Sequence, residues 1–397
     1  MIRAHRERFN REFTEARYQS FVKKVESRCG ADIHFRLSET PCFFAASLMN
    51  RLVDASRTLL HQLLDNSAYM TAANDEVPPP FRLTHAEKRP TFVCVDWGLV
   101  TGADGTTEGR LVELQAFPSL YGFQRMLGET CREHDGFPEL SPYLGGLDTD
   151  GYTRLMRDVI VGPHDPREVV LMEIDPLQQK TLPDFIVTER DWGVRAVDLG
   201  AIQREGAKLF YDRDGVRTPI KRIYNRVIPD DLERHKRTWP FPTGADLDVE
   251  WIGGPDWFFR ISKFSIPWFK HPWVPETHYL SDVTTLPQPR EDWLLKPLYS
   301  FAGGGIMFAP TDEHLTGIPK EDRRHYVLQR KVTFTPVIDT PHGPTQVELR
   351  IMMVRDGDEY RPVLPLARMG RGKMMGVDYN KGLAWVGATA ALVDTSL

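Results

Sequence analysis

The sequence predicts an α/β protein of α+β composite type, fronted by a helical region. Three features carry that expectation. Residues 43–65 place Leu48, Leu52, Ala55, Leu59, Leu60 and Leu63 at the spacing of a helix with one buried stripe. Two strand-like apolar runs follow at 91–97 and 110–117. Between residues 167 and 229, strands and a helix alternate in the order of a βαβ unit.

Each element has a local reason. Pro78, Pro79 and Pro80 end the helical region, because proline cannot donate a backbone hydrogen bond. Ala103-Asp104-Gly105 supplies the turn that makes 91–97 and 110–117 an antiparallel pair. Residues 169–172 read as a buried strand, 180–189 as a helix and 194–197 as the next strand. The turn at Asp214-Gly215 separates 209–211 from 220–226, adding a hairpin and a further strand. A Trp/Pro-rich connection spans 239–275, and a second α+β region begins near Ile261.

Composition excludes several function classes. At 397 residues, the length suits two or three domains or one composite fold, not a small binding module. With 41% hydrophobic and 26% charged residues the chain is neither disordered nor fibrous. Its net charge of −5, without a long run of one sign, predicts neither a nucleic-acid partner nor an anionic membrane surface. Cys29, Cys42, Cys94 and Cys131 lack C-x-x-C spacing and read as buried free thiols. The first residues are charged and no apolar run reaches about 18 residues, so a cytoplasmic protein is expected.

The most informative segment is residues 293–308. A strand ending in Lys296 runs into Ser300, Phe301, Ala302, Gly303, Gly304 and Gly305, then into another strand. Backbone N–H groups and an ammonium can converge there on a polyphosphate. A tight β-hairpin accounts equally well for the glycines alone. The segment is not a Walker A loop, which needs Gly-Lys-Ser/Thr before a helix. Lys263 precedes by one module; alone, it reads as a solvated lysine. Residues 326–332, ending at Val332, form an apolar strand that turns polar at Gln329, Arg330 and Lys331. Glu348 and Arg350 share one strand face, either as a phosphate-binding arginine or as a structural cross-strand pair.

In that order, these segments together with "DYNKGLAWVG" resemble the ATP-grasp superfamily. The resemblance implies that Lys263 and Lys296 contact ATP phosphates, that Ser300 to Gly305 close over them, and that Gln329, Arg330, Lys331 and Val332 line the adenine. It implies that Arg350 meets the γ-phosphate, with Arg368 and Asn380 as weaker candidates at the same end.

The family's magnesium strands should follow the segment at Asn380, yet Leu397 is only seventeen residues further on. A matching pair lies upstream, with Asp96 in one strand and Glu113 and Gln115 in the next. Carboxylate oxygens suit Mg²⁺, and residues two apart on a strand share a face. Gln115 stands where the family has asparagine. The order resembles a circularly permuted ATP-grasp protein of the glutathionylspermidine synthase-like kind, without its amidase. Tyr224-Asn225-Arg226 resembles that family's Tyr-Arg-Arg element and makes Arg226 a candidate.

The expected organisation is therefore a helical region (1–89), metal-binding strands (90–130) joined to a nucleotide-binding region (256–397), and a βαβ pre-ATP-grasp-like region (131–255) between them. What the resemblance implies is an ATP- and Mg²⁺-dependent ligase. Arg350, Lys296, Arg226 and Arg368 would act on small carboxylate and amine substrates of the amino acid, peptide or polyamine class. The alternative is a degenerate ATP-grasp scaffold or regulator that binds nucleotide without catalysis. His271, His278, His325 and His342 read as surface or packing histidines, and no general base is identified.

Overall fold

The computed structural model describes residues 1–300, 303–380 and 382–397, without the side chains of Val377 and Asp378. The strands that matter for the site are, in order, β1 (Cys42–Ala45), β2 (Phe92–Thr101), β3 (Thr107–Gln115), β4 (Val169–Glu173), β5 (Arg195–Asp198), β6 (Gln203–Glu205), β7 (Lys208–Arg213), β8 (Val216–Ile220), β9 (Arg222–Asn225) and β10 (Glu250–Ile252). They continue as β11 (Thr277–Tyr279), β12 (Trp293–Pro297), β13 (Met307–Phe308), β14 (Tyr326–Arg330), β15 (Gln346–Asp356), β16 (Glu359–Gly370) and β17 (Gly387–Asp394). The main helices are α1 (Arg3–Glu12), α2 (Glu15–Cys29), α3 (Ala46–Leu64), α4 (Ser67–Asp75), α5 (Tyr121–His134), α6 (Thr149–Ile160) and α7 (Leu182–Trp192).

A six-stranded sheet of order β1-β17-β16-β15-β2-β3 forms the centre. Only β1 runs parallel to its neighbour; the other pairs are antiparallel. Residues from both halves of the sequence thus share one sheet. Strand alternation explains its two faces. Val95 and Trp97 of β2, Leu349 and Ile351 of β15, and Ala367 and Met369 of β16 point into the core beneath α3. The other face is divided along its length. At one end Phe92, Cys94, Met352, Val354, Leu364 and Leu366 pack with Tyr121, Tyr152 and Met156 of α5 and α6. At the other end the same alternation delivers Asp96, Glu348, Arg350 and Arg368.

A bulge next to Asp96 keeps β3 in phase with this pattern. Asp96 pairs with Glu113 while Trp97 pairs with Leu111, leaving Val112 as the extra residue. Leu111 and Leu114 therefore meet the core, and Glu113 joins the polar end. On that face Gly98 leaves space for Phe334; a Cβ there would lie 2.2 Å from its ring.

Two smaller sheets complete the framework of the site. β10-β9-β4-β5 is parallel throughout, with α7 crossing between β4 and β5. β11-β14-β12-β13 is antiparallel and carries the loop of small residues between β12 and β13. A separate β6-β7-β8 ribbon sits beside the parallel sheet.

The boundaries differ from the sequence reading where a short apolar run was ambiguous. The helix expected over 43–65 starts at Ala46, because Phe43 and Phe44 belong to β1 and bury on opposite sides. A run of this length has no period that separates strand from helix. The helix expected at 180–189 is α7, displaced to Leu182–Trp192; Pro183 sits in its first turn and Gly193, at φ 75°, ends it. The strand expected over 326–332 stops at Arg330. All four cysteines are buried and free. Among the described residues no helix is long and apolar enough to cross a membrane.

One buried acid precedes the short helix that leads to Lys263. Asp256 is fully enclosed, and burial raises its carboxyl to about 6 against the pull of Arg260, 3.2 Å away. A carboxyl raised in the folded state binds more protons there than when unfolded, so its contribution to stability falls as pH rises from about 4 to about 6. Asp256→Asn should gain on the wild type by about 3 kcal/mol between pH 4 and pH 7. Urea unfolding across that range measures it; parallel profiles would contradict the assignment.

Candidate functional site

The polar end of the central sheet faces the antiparallel sheet of β12 and β14. Lys296 and Gln329 are diagonal neighbours on one face, since Leu294 pairs with Gln329 and Lys296 with Val327. The Lys296 ammonium donates to Gln329 Oε1 at 2.5 Å, and both side chains are buried. Lys263 opens a 3₁₀ turn (Lys263–Trp268) whose preceding Ser262 accepts from Phe264 N–H. Its ammonium reaches the Ser300 carbonyl at 2.7 Å and Glu113 at 3.2 Å. The two sheets thus meet through lysines on one side and acids on the other.

Beneath them lies a closed ionic group. Arg350 Nε and Nη2 donate to the two oxygens of Asp96 at 2.6 and 2.7 Å, a bidentate pair across β15 and β2. Arg368 Nη2 donates to Asp96 at 2.7 Å and also pairs with Glu348. Burial pushes the Asp96 carboxyl up, but the charges and hydrogen bonds of Arg350 and Arg368 outweigh it and hold the group below its usual range. Glu348 goes the other way: burial raises it, and Asp96 and Glu113 add to the rise against Arg368 and Arg350. Burial and the charge of Lys263 lower Lys296 to about 8, despite Glu113 and Glu348.

Of the residues singled out from sequence, these contacts join Asp96 with Arg350 and Arg368, Lys263 with Glu113 and Ser300, and Lys296 with Gln329, and the charges of Lys263 and Glu113 bear on Lys296. Gln115 and Glu113 line a narrow pocket with Lys263 and Ser300. Gly303 and Gly305 adopt φ of 77° and 70°, and a Cβ on Gly303 would sit 2.3 Å from Met374 Cε, so the loop packs closely on residues beyond β16. Gly304 is exposed between them. Ala302 lies outside the described residues.

Four candidates have other partners. Arg226 donates to the Pro118 carbonyl, lies 3.5 Å from Asp184 and stacks between Phe117 and Phe185. Asn380 accepts from the N–H groups of Arg371 and Gly372 and donates to the carbonyls of Met374 and Gly376, which spends its side chain on holding that turn. Arg330 and Lys331 direct their side chains to Asp292 and the Glu291 carbonyl, and their backbone N–H groups bond Glu276 and Asp292. Val332 lies beyond the end of β14. Glu348, placed on the Arg350 face by the sequence but not counted among its site residues, joins the site through its pair with Arg368.

Buried ion pairs cost most when one partner is removed. Asp96→Ala should lose about 3–5 kcal/mol, because it strands the Arg350 guanidinium. Arg350→Met in the Asp96→Ala background should recover most of that loss, since Arg368 keeps Glu348. Chemical denaturation of both singles and the double measures the coupling, and strictly additive losses would refute the pairing.

No family model matches this sequence, and no curated protein matches it. Among solved structures it is similar to a glutathione synthetase-like effector from Globodera pallida in its apo form. The TM-score is 0.59 at 11% identity, with 95% of this chain and 96% of that chain covered. At that identity the likeness shows the fold: a mixed α/β architecture shared over nearly the whole length of both chains.

Proposed function

We propose that this chain is an ATP- and Mg²⁺-dependent ligase that activates a substrate carboxylate as an acyl phosphate for attack by an amine. One observation carries the reading. Asp96 pairs with Arg350 and Glu113 with Lys263, although more than 140 residues separate the partners, and the charges of Glu113, Glu348 and Lys263 all bear on Lys296. This is the arrangement expected of an ATP-grasp site in circularly permuted order, with residues 90–130 and 256–397 as one unit. The shared fold with a glutathione synthetase-like protein supports it.

In this reading Lys263 and Lys296 take the ATP phosphates and the glycines at 303–305 give their N–H groups close access. Arg350 and Arg368 face the γ-phosphoryl group. That group passes to the substrate carboxylate with release of ADP; the amine then attacks the acyl carbon and expels phosphate, losing a proton. Catalysis is positioning and charge neutralisation by fixed cations. For Mg²⁺, Glu113 fits, since among the described residues its carboxylate pairs only with Lys263 and is partly exposed, and Gln115 lines the same pocket. Asp96 does not fit while Arg350 and Arg368 occupy both of its oxygens. Held by Glu113, Mg²⁺ would supply neutralisation of phosphate charge. Small amino acids, peptides or polyamines are the substrate class, in a cytoplasmic setting.

The occupied Asp96 is also the observation that favours a second reading, nucleotide binding without catalysis. Phosphate release from ATP, with pools of amino acids, peptides and polyamines, separates the two. Mg²⁺-dependent turnover with one pool is expected, and Glu113→Gln should reduce it at least 100-fold. ATP binding without turnover in every pool would favour the scaffold. ATP affinity should also depend on pH, because the protonated Lys296 is the form that attracts phosphate. That form is lost as pH rises through about 8, so the dissociation constant should rise by up to about tenfold per pH unit above 8. Lys296→Met should bind weakly with a flatter profile; a flat wild-type profile by calorimetry would contradict the role.

A further inference from the structure

Gln329 is a buried side chain of the site whose amide is only half used. The residue is 1% exposed. Its Oε1 accepts from Lys296, and that orientation follows from chemistry, because an ammonium offers donors alone. Its Nε2 is buried without a hydrogen-bond partner. An enclosed amide donor left unpaired is costly, and a ligand acceptor removes the cost. The groups bearing on Lys296 are Lys263, Glu113 and Glu348, and Arg368, the partner of Glu348, also keeps an unpartnered Nε. Spare donors beside two ammonium groups describe a place for anionic oxygen.

We propose that Gln329 binds ligand through its side chain at the phosphate end of the site, with Nε2 donating to a phosphate oxygen while Oε1 positions the Lys296 ammonium on the same group. This rests on the nucleotide-binding reading for the identity of the ligand, though not for its charge. It differs from the sequence expectation, which put Gln329 on the adenine. The neighbouring Arg330 and Lys331 already use their backbone N–H groups in bonds to Glu276 and Asp292. The cross-strand register of β12 and β14 makes the pair rigid, so the carboxamide and the ammonium act as one unit.

Calorimetric binding of inorganic tripolyphosphate, ATP and adenosine to the full chain tests this. Gln329→Met removes both polar atoms, and Gln329→Glu keeps the shape but replaces the donor by an acceptor. Both should weaken tripolyphosphate and ATP about tenfold or more, with Gln329→Glu the worse, and leave adenosine unchanged. Should Gln329→Met not fold, the isosteric variant alone decides. Equal weakening of adenosine and ATP would overturn the proposal in favour of the adenine end. Unchanged tripolyphosphate binding in both variants, or none in the wild type, would also overturn it. Tripolyphosphate binding that depends on Gln329, without any binding of ATP, would instead sustain the proposal and refute the nucleotide reading.

Discussion

The bidentate contact between Asp96 and Arg350 is the constraint on which the site depends. It lies across two central strands, at the point where the sheet face changes from apolar to polar. A guanidinium or carboxylate buried singly there would carry a desolvation penalty that packing cannot offset. As a pair, with Arg368 bridging to Glu348, they form a platform nearly neutral in itself. The free positive charge of the site then comes from the lysines above it. The arginines thus tie three strands of the sheet together, and the two buried lysines each have a single acid or amide side chain as partner.

The same arrangement explains how distant parts of the sequence behave as one unit. β2 pairs directly with β15 and carries β3 on its other side, while the lysines arrive on β12 and the turn at 263. The bulge at Val112 matters in this context. Were β3 regular through Val112, a Leu111 facing the core would put Glu113 into the core beneath α3 and Leu114 into the site. The parallel sheet stands apart in composition and connection, and joins the centre through the aromatic cluster of Phe92, Tyr121 and Tyr224.

Much of this was legible in the residues. Strand alternation placed Glu113 with Gln115 and Glu348 with Arg350, since a period of two is read directly from spacing. Lys296 was marked by its position at the end of an apolar run before small residues. Other features were not legible. The edge strand at Cys42–Ala45 has no periodicity of its own and exists because β17 lies beside it. Asn380 and Arg226 looked available because a sequence does not show which backbone groups will satisfy a side chain. The occupation of Asp96 by two arginines depends on register across three strands, which no single segment contains.

The position of β17 between β1 and β16 also bears on how the molecule is made. Phe43 and Phe44 leave the ribosome early, yet their strand partner, Leu392–Val393, follows about 350 residues later. At 5–20 residues per second, that interval is roughly 20–70 s. Throughout it the growing chain carries an unpaired, apolar strand whose natural neighbour has not been synthesised. The edge of the central sheet at β1 can therefore close only after β17 has been made, late in the assembly of the sheet.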